Sequence, residues 1–470
     1  MQVLRAVAWN CQFLATLCRD SVLPGEMDMV SRNISLAFSY AAILIASLAG
    51  LAFGQPGSPE LKDLYTKYQA GRTQLNSWMS NRTAFDSTKK EDLEALSNYS
   101  RFVCRGQTFR DRLSASSDPS VILLLELPDN VQKDISQTMI RAFDQPYAPS
   151  LLKNYHRTMM EEVEAVLLES KDQFVRLNAT RVLPSAALAI GALKRDGKPV
   201  LDSKDQAEAY NRQIVLCKKL VESAWKGIPR DDAVLLYSLR GAREAMAGYS
   251  HTVGLRTDRE KKNLVQPDLA QDMTLLNLVG EIAAQMPSWL SNATPEELEG
   301  FRSIRREAIR TLGASGRSKV GAALPALVLG RILAGDLAKD NYRLDELTDV
   351  AIGLAGMRTE ESYNSDLAAS LVGNFLQEFF ARHAQKQGIY ASFPFVYHAA
   401  RLNTALQAWD EKPPSPEIKT LVGKAKAALT SLEKKQEPQF QEAELIKTLR
   451  DKKPLLLING DEKSRIGPAQ

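Results

Sequence analysis

Four histidines, His156, His251, His383 and His398, are the residues readiest for acid–base or metal chemistry near neutral pH. None belongs to an H-E-x-x-H, and no two have the i, i+4 spacing that places a metal pair on one helix face. His383 and His398 stand 15 residues apart and could face one another across two helices; a surface or core histidine is the plainer reading of each. Carboxylates cluster at Glu161-Glu162 with Glu164, and at Asp231-Asp232. Paired carboxylates are the raw material of general acid–base catalysis. On a helix they equally make a solvated face or a cap, and Asp231-Asp232 just after Pro229 suits a helix start. Gly313-Ala314-Ser315-Gly316-Arg317 has the composition of an anion-binding loop, but it joins two predicted helices and reads as the turn between them.

The chain has no G-x-S-x-G elbow, no phosphate-binding G-x-x-x-x-G-K-[ST] loop and no G-x-G-x-x-G after a strand. Its four cysteines, Cys11, Cys18, Cys104 and Cys217, form no C-x-x-C and no zinc-like spacing. Cys104 and Cys217 could pair in an oxidising compartment or stay as small buried thiols. The sequence therefore assigns no catalytic, cofactor-binding or metal-binding residue. Local positive charge occurs at Leu239–Glu244 and at Arg302, Arg305, Arg306 and Arg310, but acids interleave it. A net charge of +4 spread over 470 residues is unlike the concentrated basic stripe of a nucleic-acid binder, and no nucleic-acid partner is expected. Four glycosylation sequons begin at Asn81, Asn98, Asn178 and Asn292 and read as chance matches, since Asn178 falls inside a predicted helix.

The elements that would position these residues are helices. Apolar residues recur at three- and four-residue spacing from about 59 to 432, as at Val163, Val166 and Leu167, and strand signals are weak. Prolines at 119, 128, 146, 184, 229, 267, 287, 295 and 325 punctuate the pattern. Thr294-Pro295-Glu296-Glu297 predicts a helix start with a capping box, running to about Leu312 and stopped by Gly313. Pro325 marks the first turn or a kink of the next helical run. Val121–Leu127 reads as buried helix, Leu455–Ile458 is strand-like, and Asn459-Gly460 is a turn.

One pattern occurs twice. Val175-Arg176-x-x-Ala179-x-Arg181-x-Leu183 returns as Ile304-Arg305-x-x-Ala308-x-Arg310-x-Leu312, 129 residues later, or three times 43. On a helix Val175, Ala179 and Leu183 share one face, as do Ile304, Ala308 and Leu312. The small alanines let a partner helix approach, and the arginines at 176, 181, 305 and 310 flank the face, within reach of neighbouring carboxylates or carbonyls. These residues resemble the second helix of HEAT repeats, whose period is about 40–47 residues. Asp172 stands where such repeats often carry aspartate; the second copy has Phe301 there, and positions near 218 and 261 do not show the pattern. The resemblance covers two units. It implies an all-α, right-handed α-solenoid of antiparallel helix pairs, in which the ten signature residues are structural; TPR-like arrays compete.

Ile34–Phe53 is an uncharged run after Arg32, and Ala52-Phe53-Gly54 has the small-x-small form favoured for cleavage before Gln55. A signal peptide is the preferred reading; its length also suits a membrane anchor or a buried core helix. Met29 is the expected biological start, with a long n-region as the alternative. Three segments are thus expected: 1–54 as extension and signal or anchor, 55–432 as the solenoid, and 433–470, rich in Lys, Glu, Gln and Pro after the break at Lys412–Pro416, as a flexible tail. The function expected is an exported, periplasmic or extracellular scaffold binding a protein partner or an envelope polymer, with no cofactor and no metal. The alternative is an all-α exported enzyme acting on a polymer or lipid through a carboxylate-lined groove with histidines. A third reading, a membrane-tethered assembly factor, needs Ile34–Phe53 to stay uncleaved.

Overall fold

The computed structural model describes residues 59–105, 128–227, 230–285, 292–335, 342–358, 362–385, 392–452 and 455–466; Ile34–Phe53 and Val121–Leu127 lie outside them. The protein is all-α. Among the described residues there is no named strand, only isolated bridges. The chain divides into two compact units after Pro325, where the sequence suggested one array over 55–432.

In the first unit α1 spans Pro59–Met79 and α2 Lys90–Arg105. A π-helical turn at Asp134–Thr138 leads towards α3, Ala148–Glu169. There follow α4 (Gln173–Ala187), α5 (Ser203–Lys226), α6 (Asp232–Leu255), the short α7 (Asp258–Lys262), α8 (Leu269–Ala284) and α9 (Pro295–Ala314). Local chemistry sets most of the starts. Asp172, Asp202, Asp231 and Asp268 accept amides at the first turns of α4, α5, α6 and α8, and each such cap contributes about 1 kcal/mol. Thr294 and Glu297 form the reciprocal capping box of α9, with Pro295 in the first turn. The Asp172 carboxylate accepts from Phe174 N at 2.8 Å and Val175 N at 3.3 Å. It caps α4, whereas Phe301 lies inside α9 and has no end to cap.

Two boundaries differ from the sequence reading. Helix α4 continues past Pro184 to Ala187 at the loss of the one backbone bond a Pro184 amide would have donated, its final turn held by the burial of Val182, Leu183, Ala186 and Ala187. Helix α9 runs through Gly313 to Ala314 and ends at Ser315, beyond which Gly316 takes φ +60°, a left-handed conformation that glycine adopts without strain.

Packing follows a simple rule. Consecutive helices pair, α1 on α2, α3 on α4, α5 on α6 and α8 on α9. In addition α3 and α8 both pack on α5, while α4 and α9 both pack on α6. The two signature helices therefore flank one helix, with a single pair between them rather than two repeats of 43 residues. The pairs begin at Ala148, Ser203 and Leu269, spacings longer than 43 because of intervening loops and α7. Backbones approach too closely for a side chain in at least two places: a Cβ at Gly71 of α1 would stand 2.5 Å from Ala95 O on α2, and one at Gly191, in the turn after α4, 2.8 Å from Gly248 Cα on α6.

The second unit contains α10 (Pro325–Ala334), α11 (Leu344–Ala355), α12 (Ser365–Gln385), α13 (Phe395–Ala405), α14 (Gln407–Glu411), α15 (Pro416–Glu433) and α16 (Ala443–Asp451). Residues 433–470, expected as a flexible tail, are largely built in. Ile446 and Leu449 of α16 are buried, α16 packs on α12, and Leu456, Leu457 and Ile458 are buried. Their backbone pairs with residues 362–364, as in Asn364 N to Leu457 O at 2.9 Å and Asn459 N to Ser362 O at 2.7 Å. Composition suggested disorder, but the few apolar residues of this stretch fall together on one face of α16 and in one short run.

Candidate functional site

The signature residues lie on α4 and α9. Val175, Ala179, Leu183, Ile304, Ala308 and Leu312 are buried. Arg176 reaches out of α4 in two directions: Nη1 donates to Leu167 O at 2.6 Å at the end of α3, and Nε donates to Asp231 Oδ2 at 2.9 Å at the cap of α6. It thus bonds the ends of two neighbouring helices. Arg181 donates to Asp129 Oδ1 at 2.9 Å and to Asn178 Oδ1 at 3.1 Å. Arg305 is fully buried, its guanidinium carbon 5.7 Å from the centroid of the Phe301 ring. Arg310 stands 3.7 Å from Glu307, a buried carboxylate on α9 that Arg243 of α6 also approaches to 2.7 Å and Arg240 to 3.4 Å. Asn178 is buried and donates to Phe174 O, so its sequon has no room for a glycan.

A cleft of about 350 Å³ opens between α3 and α5. Buried Met160 and Leu216 floor it, and Val215, 43% exposed, stands at its side. Its rim is charged, and the charges are paired across it: Arg212 meets Glu161 at 3.0 Å and Lys219 meets Glu164 at 2.7 Å. Glu208 is held by Lys153 at 2.8 Å, whose ammonium keeps that carboxyl below the usual range. Glu162 points the other way, to Arg101 and Arg105 of α2. Of the cluster Glu161-Glu162-Glu164, then, two members line the cleft and one staples α3 to α2. Carboxylates neutralised by cations are poor general bases, and no histidine lines this cleft. Exposed pairs of this kind contribute about 0–1 kcal/mol each, so a partner could displace them at small cost.

Three buried polar centres lie between the packed helices. Asp134, fully enclosed at the start of the π-helical turn, accepts from Tyr99 OH at 2.5 Å, Tyr155 OH at 3.1 Å and Arg72 Nη1 at 2.7 Å. Burial drives both tyrosine hydroxyls well above their ordinary pKa, so they remain donors. His156 of α3 is buried against Gln213 of α5, itself buried. Gln213 Nε2 donates to Leu183 O at 3.1 Å, which turns its Oε1 to His156 Nε2 at 3.0 Å and makes that ring nitrogen the proton carrier. Burial pushes His156 down to about 4. Asp272 on α8 accepts from Tyr210 OH at 2.9 Å, and burial pushes its carboxyl up to about 6. Asp134 and Asp272 carry no motif; the arginine that pairs with Asp134 and the tyrosine that donates to Asp272 are each 62 residues away, at Arg72 and Tyr210.

His251 is exposed. His383 packs edge-on against Phe395 at 5.1 Å and His398 stacks on Phe393 at 4.8 Å. Cys104 and Cys217 are buried free thiols; burial raises both, Cys217 to about 12, which keeps them protonated and inert. Among the described residues no group of histidine, cysteine and carboxylate side chains is arranged to hold a metal ion. No described helix is long and apolar enough to cross a membrane.

Compared with family models, curated proteins and solved structures, the chain matches none.

Proposed function

We propose that the protein is an exported scaffold, a right-handed solenoid of antiparallel helix pairs that binds another protein through the cleft between α3 and α5. The stacking of α3, α5 and α8 on one side and of α4, α6 and α9 on the other supports the solenoid, since a two-helix unit buries its apolar face only against its neighbours. Arg176, bonding α3 and α6 at once, fits a residue that joins adjacent units. The observation that carries the binding role is the cleft itself: an apolar floor beneath a rim of weak, displaceable ion pairs, suited to the apolar face of an amphipathic helix. Export rests on the Ile34–Phe53 run and its small-x-small end.

The enzyme alternative requires unpaired acids converging with a histidine, whereas the carboxylates of this cleft are each held by a lysine or arginine. The test places a photo-crosslinking residue at Val215, with a second at exposed Gln407 as control, in the full-length chain in cells. The expected result is one protein adduct specific to position 215, reduced by Val215→Glu. Equal labelling at both positions, or none at 215, overturns the assignment. N-terminal sequencing of the same material checks export: a first residue at Gln55 supports cleavage, and an intact Ile34–Phe53 removes it.

A further inference from the structure

We infer that Asn459-Gly460 is a site of spontaneous succinimide formation, and that the isoaspartate it yields releases the C-terminal segment from its seat in the second unit. This is the one Asn-Gly in the chain. The two residues are exposed at the tip of a turn closed by Asp461 N to Ile458 O at 3.1 Å, with Gly460 at φ +79° and nothing within 4 Å of where its Cβ would stand. The Gly460 amide donates no hydrogen bond among the described residues.

The chemistry closes on these atoms and water alone. The Gly460 nitrogen loses its proton and bonds to Asn459 Cγ; the Cγ–Nδ2 bond breaks and the side-chain nitrogen leaves as ammonia. Water then opens the five-membered imide. Attack at Cγ gives aspartate, and attack at the main-chain carbonyl carbon gives isoaspartate, with one methylene more in the backbone.

Two other sites in the chain carry the next most permissive pair, Asn-Ser, and the structure protects both. At Asn364-Ser365 the attacking amide is engaged with Tyr363 O at 3.0 Å, and the side chain is buried and fixed by Nδ2 to Leu456 O at 2.9 Å. At Asn76-Ser77 the attacking amide lies within helix α1.

The consequence follows from what the turn holds. It returns 455–458 onto 464–466, through Leu457 N to Ser464 O at 3.0 Å and Ile466 N to Leu455 O at 2.8 Å. The same strip pairs on its other side with 362–364. A methylene added between Asn459 and Gly460 lengthens the turn and shifts the register of both bonds, because backbone pairing tolerates no change of spacing along the strip.

The experiment ages the full chain in mildly alkaline buffer, maps peptides by mass spectrometry with fragmentation that separates isoaspartate from aspartate, and follows hydrogen exchange at the Leu457 and Ile466 amides. Asn459→Gln, whose longer side chain cannot close the five-membered ring, is the blocked control. Asn459→Asp supplies the charge without the added methylene. The inference expects isoaspartate at 459 with Asn364 and Asn76 intact. It expects exchange at both amides to rise severalfold in aged protein and to stay at the starting rate in both variants. An unmodified 459, equal reaction at Asn364, unchanged exchange in the isoaspartate fraction, or fast exchange in fresh Asn459→Asp would each overturn it.

Discussion

Two buried groups in the first unit should titrate in opposite senses, so that each hides the other. Asp272 has an ordinary value of 3.8 and is pushed up to about 6 by burial, against the lowering effect of Tyr210 and Arg317 and with Asp268 adding to the rise. Its folded form holds the proton more tightly than the unfolded form. The resulting stability is fully present below pH 3.8 and is lost as pH rises through about 6. At about 1.4 kcal/mol per pH unit the span amounts to about 3 kcal/mol. His156 runs the other way, from 6.5 down to about 4, because burial disfavours its charged form. The unfolded chain takes up that proton first, so stability falls by a similar amount, about 3 kcal/mol, as pH drops from 6.5 to 4. Between about 4 and 6 the two slopes cancel. Asp272→Asn keeps an oxygen for Tyr210 and removes the titration. It should raise stability at neutral pH by about 1–3 kcal/mol, the lower end reflecting the cost of burying the new amide NH2, and it should expose the His156 slope. His156→Gln should expose the Asp272 slope, with stability rising as pH falls towards 4. Urea unfolding followed by circular dichroism at several pH values across this window reads both. A profile for Asp272→Asn that stays parallel to wild type would refute the reasoning.

Gly191→Ala would force a Cβ to within 2.8 Å of Gly248 Cα, and because backbone meets backbone there, a cost of about 1–3 kcal/mol or more is expected in the unfolding midpoint. Arg176→Ala strips a charged donor from Leu167 O and from Asp231, and should lower stability by about 2–3 kcal/mol; an unchanged melting temperature together with lost partner binding would show that the residue serves the interface instead. Asp134→Asn leaves Arg72 without its buried counter-charge and turns an amide towards donors, so a loss of about 3–5 kcal/mol is expected, read in the same urea titration.

What the sequence by itself determined is what neighbours along the chain decide. The capping box of Thr294 and Glu297, the start of α10 at Pro325, the turn at Asn459-Gly460 and the buried stripe Ile304, Ala308, Leu312 were all legible, because caps, turns and helix faces involve residues within a few positions of one another. The same local reading set the stop of α9 too early, since Gly313 can remain helical when the chain beyond it offers a better left-handed residue at Gly316. Only the tertiary structure decided that α4 and α9 flank α6, that Glu161 and Glu164 line a cleft while Glu162 turns to α2, and that α16 closes onto α12. It alone enclosed Asp134, Asp272 and His156. Their surroundings are assembled from residues such as Arg72, Tyr210 and Gln213, more than fifty positions away in each case, and whether a carboxyl or imidazole is charged depends on that assembled environment.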